Sequence, residues 1–367
     1  MATRAVTRIP RRRADAPAAV RHDWDALAEA AGAPPFLRPG WIDAWHRSYG
    51  TGTLELVTVR RADRLVGVLP VERRRGTLRS PANSHTPLFG AVVLDADAAS
   101  ALADRLLDRA SHGFTLRAVD PGSEWFRALE AALATRGWHV SKRAIAQSPY
   151  VRTDGAWDDY RTTLSRKLLK ELSRCRRRLE DRAEVAVEVH STGDGLESAL
   201  EEFVALEASG WKAAQGTAIV SRAESVGFYA QIAAWAADRG WLRISFLRHG
   251  GRAVATEFAL DCEGVEYPLK SGFDPVYRSF GPGQLLTYEA LARSFASRLS
   301  SYEFLGYDEP YKHRWARDMR ERIEVTAFPD TPRGRLRLAF ESSVRPRLRQ
   351  TRRKLLRPDR VSRRPEA

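Results

Sequence analysis

Residues 271–296 read SGFDPVYRSFGPGQLLTYEALARSFA, and the rest of the chain is understood from them. A strand candidate, VEYPLKS (265–271), runs into this stretch, and a helix at about 283–298 leaves it. Between them lies Arg278-Ser-Phe-Gly281-Pro-Gly283, an R-x-x-G-x-G pattern. A pyrophosphate is held by backbone N–H groups that point inward, with a helix N-terminus behind them. Glycines at 281 and 283 remove the Cβ atoms that would block a close approach, and Arg278 can add a charge-assisted contact. Taken alone, two glycines before a helix also make a plain turn, so the order of the surrounding elements has to decide.

Working outward, strand candidates at 242–248 and 253–260 precede the stretch, and a strand at 302–306, a short helix near 309–316 and a strand at 321–328 follow it. Upstream lie a basic helical segment (157–182), a strand near 184–190 and helices at about 194–212 and 222–238. In the basic segment Leu164, Leu168, Leu172, Cys175 and Leu179 share one helical face, with most of the cations elsewhere. The first half has its own alternation. A helix near Asp23–Ala31 and a second from about Gly40, carrying Trp41 and Trp45, lead into strands at 54–60 and 65–72. After the loop SPANSHTPLFG (80–90) come helix 97–111, strand 114–118, helix 122–136 and strand 138–144. A faint repeat links the halves: Val59-Arg-Arg-Ala-Asp-Arg-Leu-Val66 resembles Leu247-Arg-His-Gly-Gly-Arg-Ala-Val254, each inside a strand–turn–strand. Chance similarity of two basic hairpins is the alternative.

Strand, strand, R-x-x-G-x-G, helix, strand, helix resembles the acyl-CoA-binding half of the GNAT acyltransferase fold. More narrowly, the chain resembles the CelD-type (cellulose-biosynthesis-type) acetyltransferases and the related FemAB-like double-GNAT proteins. The matching pieces are PPFLRPGWIDAWHRSYG (34–50), VGVLPVERR (66–74), SRKLLKELSRCRRRLE (165–180), LEASGWKAAQGTAI (206–219), FYAQIAAWAADRGWLRISFL (228–247), YPLKSGFDPVYRSFGPGQLL (267–286) and FLGYDEPYKHRWA (304–316). The resemblance implies an α/β (α+β) chain of two tandem GNAT-like domains, each a mixed twisted sheet flanked by helices, plus a basic C-terminal tail. The expected division is a disordered basic arm (1–20), a non-catalytic N-terminal GNAT-like domain (21–152), a catalytic C-terminal GNAT domain (153–330) and the tail (331–367). It also implies acetyl-CoA or another acyl-CoA as co-substrate, entering between two strands that splay apart near 265–271 and 302–306.

Acyl transfer needs a nucleophile freed of its proton and a protonated leaving thiolate. Glu257 is the candidate base, because AVATEFAL (253–260) is otherwise apolar and burial raises a carboxyl pKa; an edge position paired to an arginine is the alternative. Tyr311 is the candidate acid on the resemblance, with simple packing the alternative. Asp308 and Lys312 complete the catalytic candidates as positioning groups, the first as an N-cap of the short helix and the second as a holder of an anionic group or partner of that aspartate. The cofactor-binding candidates are Arg278, Ser279, Phe280, Gly281, Pro282, Gly283 and Gln284, with Lys270 beside the splay. Trp211 and Lys212 are candidates for the acceptor side; a helix end serves equally well as their explanation. His46 and His85 have no triad or metal partner at readable spacing and read as structural. Cys175 reads as core, and Cys262 has no motif around it.

The 367 residues are too many for one comfortable core and suit two domains. Two cysteines make neither a disulfide framework nor a four-ligand zinc site, so no metal is expected. No run of eighteen apolar residues exists, and the N-terminus lacks the apolar core of a secretory signal, so a cytoplasmic protein is expected. The net charge of +14 sits at the ends: residues 1–21 carry +5 and residues 333–367 carry +10, leaving about −1 for the body. Arginine outnumbers lysine 53 to seven, which base composition alone can produce. The expected partner is a small-molecule or saccharide acceptor, with peripheral contact of the tail on an anionic membrane. Nucleic acid is disfavoured, because few aromatics interleave the arginines of 161–182. An aminoacyl-tRNA-dependent FemAB-like transferase and a non-catalytic basic adaptor are the alternatives.

Overall fold

The computed structural model describes residues 18–193, 195–209 and 219–339. The expectations for the basic arm, for Trp211 and Lys212 and for most of the tail lie outside the described residues.

The first half holds α1 (Ala18–Ala30), α2 (Pro39–Tyr49), β1 (Thr53–Arg61), β2 (Arg64–Arg74), β3 (Thr77–Arg79), β4 (Val92–Val93), α3 (Ala96–Arg109), β5 (Phe114–Val119), α4 (Glu124–Thr135) and β6 (His139–Arg152). The second holds α5 (Trp157–Thr163), α6 (Arg166–Glu180), β7 (Val185–His190), α7 (Leu196–Ala208), α8 (Ala223–Asp238), β8 (Leu242–His249), β9 (Arg252–Cys262), β10 (Val265–Phe273), α9 (Pro282–Ala296) and β11 (Ser301–Glu303). β12 (Asp318–Phe328) and α10 (Pro332–Ala339) close the described chain. The segment expected as one long basic helix is two. Leu164 is extended, and Ser165 starts α6 by accepting from the Leu168 N–H at 3.2 Å.

All strands join one mixed sheet in the order β1-β2-β3-β5-β12-β6-β11-β10-β9-β8-β7, with β4 on β2. Helices α3 and α4 bury a core of Leu102, Leu106 and Phe126 against β1, β2, β5 and β12. Helices α6 and α9 bury Leu168, Leu172, Cys175 and Leu291 on the second half. The third core crosses between the halves: Trp41 of α2 meets Phe228 of α8 edge-on at 5.2 Å, and Trp24 and Phe36 lie in the same cluster. Gly40 allows this crossing, since an added Cβ would lie 2.2 Å from Trp235 Nε1.

The halves repeat each other in detail. In β1–β2 the pairing steps from Val59↔Gly67 to Arg60↔Leu65, skipping Val66. In β8–β9 it steps from Leu247↔Ala255 to Arg248↔Ala253, skipping Val254. These are the residues that the sequence repeat aligns, so the same bulge stands at the same place in both hairpins. Each half also contains a parallel pair of only two registers, β3 with β5 and β10 with β11. One strand crosses the division. β12, at the end of the second expected domain in sequence, lies between β5 and β6 of the first half, while the last residues of β6 pair with β11 of the second. Among the described residues, no helix is long and apolar enough to cross a membrane.

Candidate active site

β10 and β11 pair only through Val265↔Ser301 and Glu266↔Tyr302, and then diverge. A cavity of about 830 Å³ opens at this divergence, lined on one side by Pro268–Phe273 of β10 and on the other by Phe304–Tyr307. Its far wall comes from the first half: Asn83–Pro87, Arg117, Ala118, Ile145 and Ala146.

At one end of the cavity lies the glycine turn. Residues 275–280 form a 3-10 turn that Asp274 caps by accepting from the Val276 N–H at 3.0 Å. Gly281 then adopts φ +56°, ψ +43° as the N-cap of α9, with Pro282 at its first position. Its conformation is the left-handed one that glycine tolerates, and a Cβ there would meet nothing within 4 Å. Gly281, Pro282, Gly283, Gln284 and Arg278 all line the cavity. Arg278 is exposed and makes no ion pair among the described residues. Ser279 and Phe280 do not line it: Ser279 is exposed, and Phe280 is buried beneath the guanidinium groups of Arg178 and Arg182, at 4.7 and 4.8 Å. Gln284 is held by Arg314, which also pairs with Glu171 of α6 at 2.7 Å.

Glu257 also lines the cavity, on β9 between β8 and β10, so it is a central-strand residue rather than an edge one. It is 5% exposed. Tyr302 of β11 donates its hydroxyl to Oε2 at 2.8 Å, while Oε1 has no hydrogen-bond partner among the described residues. Burial, reinforced by the nearby Glu266 carboxylate, pushes the Glu257 pKa up to about 7; the Tyr302 hydrogen bond and Arg293 pull the other way without cancelling it. Glu266 is itself fixed, accepting from Arg293 at 2.5 Å and from Ser294 at 2.6 Å. Tyr302 carries no expectation from the sequence, because its partner is 45 residues away on another strand.

Tyr311 lines the cavity, 44% exposed; desolvation, with the Glu309 and Glu257 carboxylates, raises its pKa, so the hydroxyl is protonated at neutral pH, as an ordinary tyrosine's is. Lys312 is buried and donates to the Leu305 carbonyl at 2.6 Å and the Tyr307 carbonyl at 3.0 Å, with Glu309 at 2.8 Å. It staples the wall 305–309. Its partner is Glu309, whereas Asp308 pairs with His313. Asp308 neither caps the 312–314 turn, whose N-cap is Tyr311, nor lines the cavity. Lys270 lines it, on β10. So does His85, which sequence reading takes as structural. Its ring stacks on Tyr49 at 5.5 Å and its Nδ1 lies 3.3 Å from the Tyr229 hydroxyl. Burial, with Lys270 and Arg222 nearby, lowers its pKa to about 4, so it is neutral at physiological pH. His46 instead meets the Gly52 carbonyl at 3.2 Å, away from the cavity.

Residues 166–313 match the family model of an acetyltransferase (GNAT) domain. The matched segment, 148 of the 367 residues, is similar to that domain. It carries the glycine turn, Glu257, Tyr302 and Tyr311. No curated protein matches the chain. Solved structures with a similar fold include FemX, at 12% identity and TM-score 0.60 over 84% of this chain and 96% of that one. The C-terminal domain of a putative lysylphosphatidylglycerol synthetase from Agrobacterium fabrum matches at 9% identity and TM-score 0.53, over 83% and 92% of the respective chains. L-PGS from Bacillus licheniformis matches at 9% identity and TM-score 0.52, over 89% and 96%. The resemblance to the GNAT fold seen in the sequence therefore holds, whereas the CelD-type subdivision has no separate support.

Proposed function

We propose that the chain transfers an acyl group from an acyl-CoA to an amine or hydroxyl acceptor in the cavity between its halves. The observation that carries this reading is the presence of two things in one cavity: a left-handed glycine turn at a helix N-terminus, and a buried carboxyl with one unpartnered oxygen. Gly281 and Gly283 give a pyrophosphate room to approach α9, and Arg278 supplies the counter-charge. Bound acyl-CoA would supply an acyl group activated as a thioester. Glu257 takes the acceptor's proton on Oε1, while Tyr302 holds Oε2 and so orients the carboxyl. Tyr311, protonated at neutral pH, gives a proton to the departing sulfur. Lys312 keeps the wall beside Tyr311 in place through two carbonyls and Glu309.

Calorimetric titration with acetyl-CoA and longer acyl-CoAs, beside the Gly281→Val protein, tests the reading. Micromolar binding that the variant loses supports it. Binding to no acyl-CoA overturns it and favours the second reading, aminoacyl-tRNA-dependent transfer, which follows from the sequence resemblance to FemAB-like proteins. That alternative predicts tRNA binding that weakens steeply with salt.

A further inference from the structure

Arg322 stands on β12, the strand that the second half inserts into the first. It is 6% exposed and lines both the large cavity and a smaller one of about 230 Å³ behind it, so it forms part of the partition between them. Its hydrogen bonds are few for a buried guanidinium. Nη1 donates to the Glu321 carbonyl at 2.8 Å and reaches Asp120 only at 3.4 Å. Nε is sealed from solvent without a partner, and Nη2 makes no hydrogen bond among the described residues. A guanidinium carries five donors, and burying it with so little compensation is costly.

The backbone around it is shaped for this position. Beside Arg322 and Ile323, β6 bulges at Ile145 and β5 bulges at Ala118, which takes φ +64°. Both bulged residues line the large cavity. Bulges in two neighbouring strands at one level re-aim the strand between them. Of the other cations lining the cavity, Arg117 pairs with Glu324 at 3.2 Å and Lys312 is held by its carbonyls and Glu309, while Arg222 and Arg278 are exposed to solvent.

We infer that Arg322 receives an anionic group, carboxylate or phosphate, on the acceptor. This rests on the acyl-transfer reading for which molecule occupies the cavity, and it makes the inserted strand β12 a specificity element. The planar fork suits either oxyanion bidentately. Arg278, at the glycine turn, serves the other substrate.

The test reads anion binding directly, in an Arg278→Met background so that the glycine turn contributes little. Thermal unfolding is followed against inorganic phosphate and against succinate. A saturable rise in Tm that Arg278→Met/Arg322→Met loses supports the site; phosphate alone acting points to a phosphate-bearing acceptor, succinate alone to a carboxylate. An equal rise in both proteins, or none in either, overturns it. Arg322→Lys guards against a folding defect, and is expected to weaken the response about tenfold while keeping the charge. Acetyl-CoA titration of Arg322→Met separates the two readings. Affinity equal to wild type is expected, and an Arg322-dependent loss of acetyl-CoA binding would overturn the acceptor-side assignment. If the wild type binds no acyl-CoA, the acyl-transfer reading fails, while the anion response still decides whether Arg322 holds an oxyanion.

Discussion

Glu257 is the base of the proposed reaction, and its environment sets a pH dependence with a definite sign. Its folded pKa, about 7, lies above the ordinary 4.5. Folding therefore favours the protonated carboxyl, and stability is lost as pH rises through the window from 4.5 to 7. The loss is on the order of 3 kcal/mol at its plateau. Glu257→Gln removes that loss, so urea unfolding at pH 5 and pH 8 is expected to show a smaller decline for the variant. The same substitution is expected to lower turnover at least about 100-fold, and the wild-type rate is expected to rise with pH through about 7 as the base ionises. Tyr302→Phe keeps the ring but frees Oε2, and a shifted pH–rate profile is the readout that distinguishes orientation of Glu257 from packing. Glu257 was readable as a candidate base because a lone carboxyl interrupts an apolar strand. Tyr302 and His85 were not, because their partners, Glu257 and Tyr229, lie 45 and 144 residues away. Arg322 was equally hidden, as its burial depends on which strands come to flank β12.

The glycine turn was legible as an element, since strand, two glycines and helix succeed one another locally. Within it the structure separates residues that the motif groups together: 278 and 281–284 face the cavity, while Phe280 anchors the turn to α6. Gly281→Val suffers from the left-handed backbone, at a cost on the order of 1–3 kcal/mol, and places a side chain in the open space before α9. Acyl-CoA affinity is expected to fall about 10- to 100-fold by calorimetry, with the far-UV spectrum unchanged. The break between α5 and α6 was missed because the apolar spacing continues across Leu164 while the backbone does not. Ser165→Ala is expected to cost about 1 kcal/mol in chemical denaturation, through loss of the cap on Leu168. The paired hairpin bulges give the sequence repeat a physical meaning, since each skips the aligned valine, and a shared irregularity is harder to reach by chance than a shared hairpin.

For the whole molecule, the order of elements was readable but the destination of β12 was not, because strand exchange leaves no local signal. Deleting residues 340–367 is expected to spare acyl transfer by purified protein while reducing association with anionic vesicles. A cut at 333 is a different experiment, because α10 packs on β12 and β6. Removing 318–367 takes away β12 and Arg322, and the product is expected to be recovered insoluble or without a cooperative unfolding transition.

That placement of β12 also governs how the chain is born. A ribosome releases β5 and β6 long before it makes the strand that goes between them, which starts only at Asp318. Until then the first half has two open edges and a core without Ile323, Val325 and Ala327. It waits for the last described strand, so the nascent chain is exposed to mispairing while nearly half of its length is made, and the first half is completed only with the second.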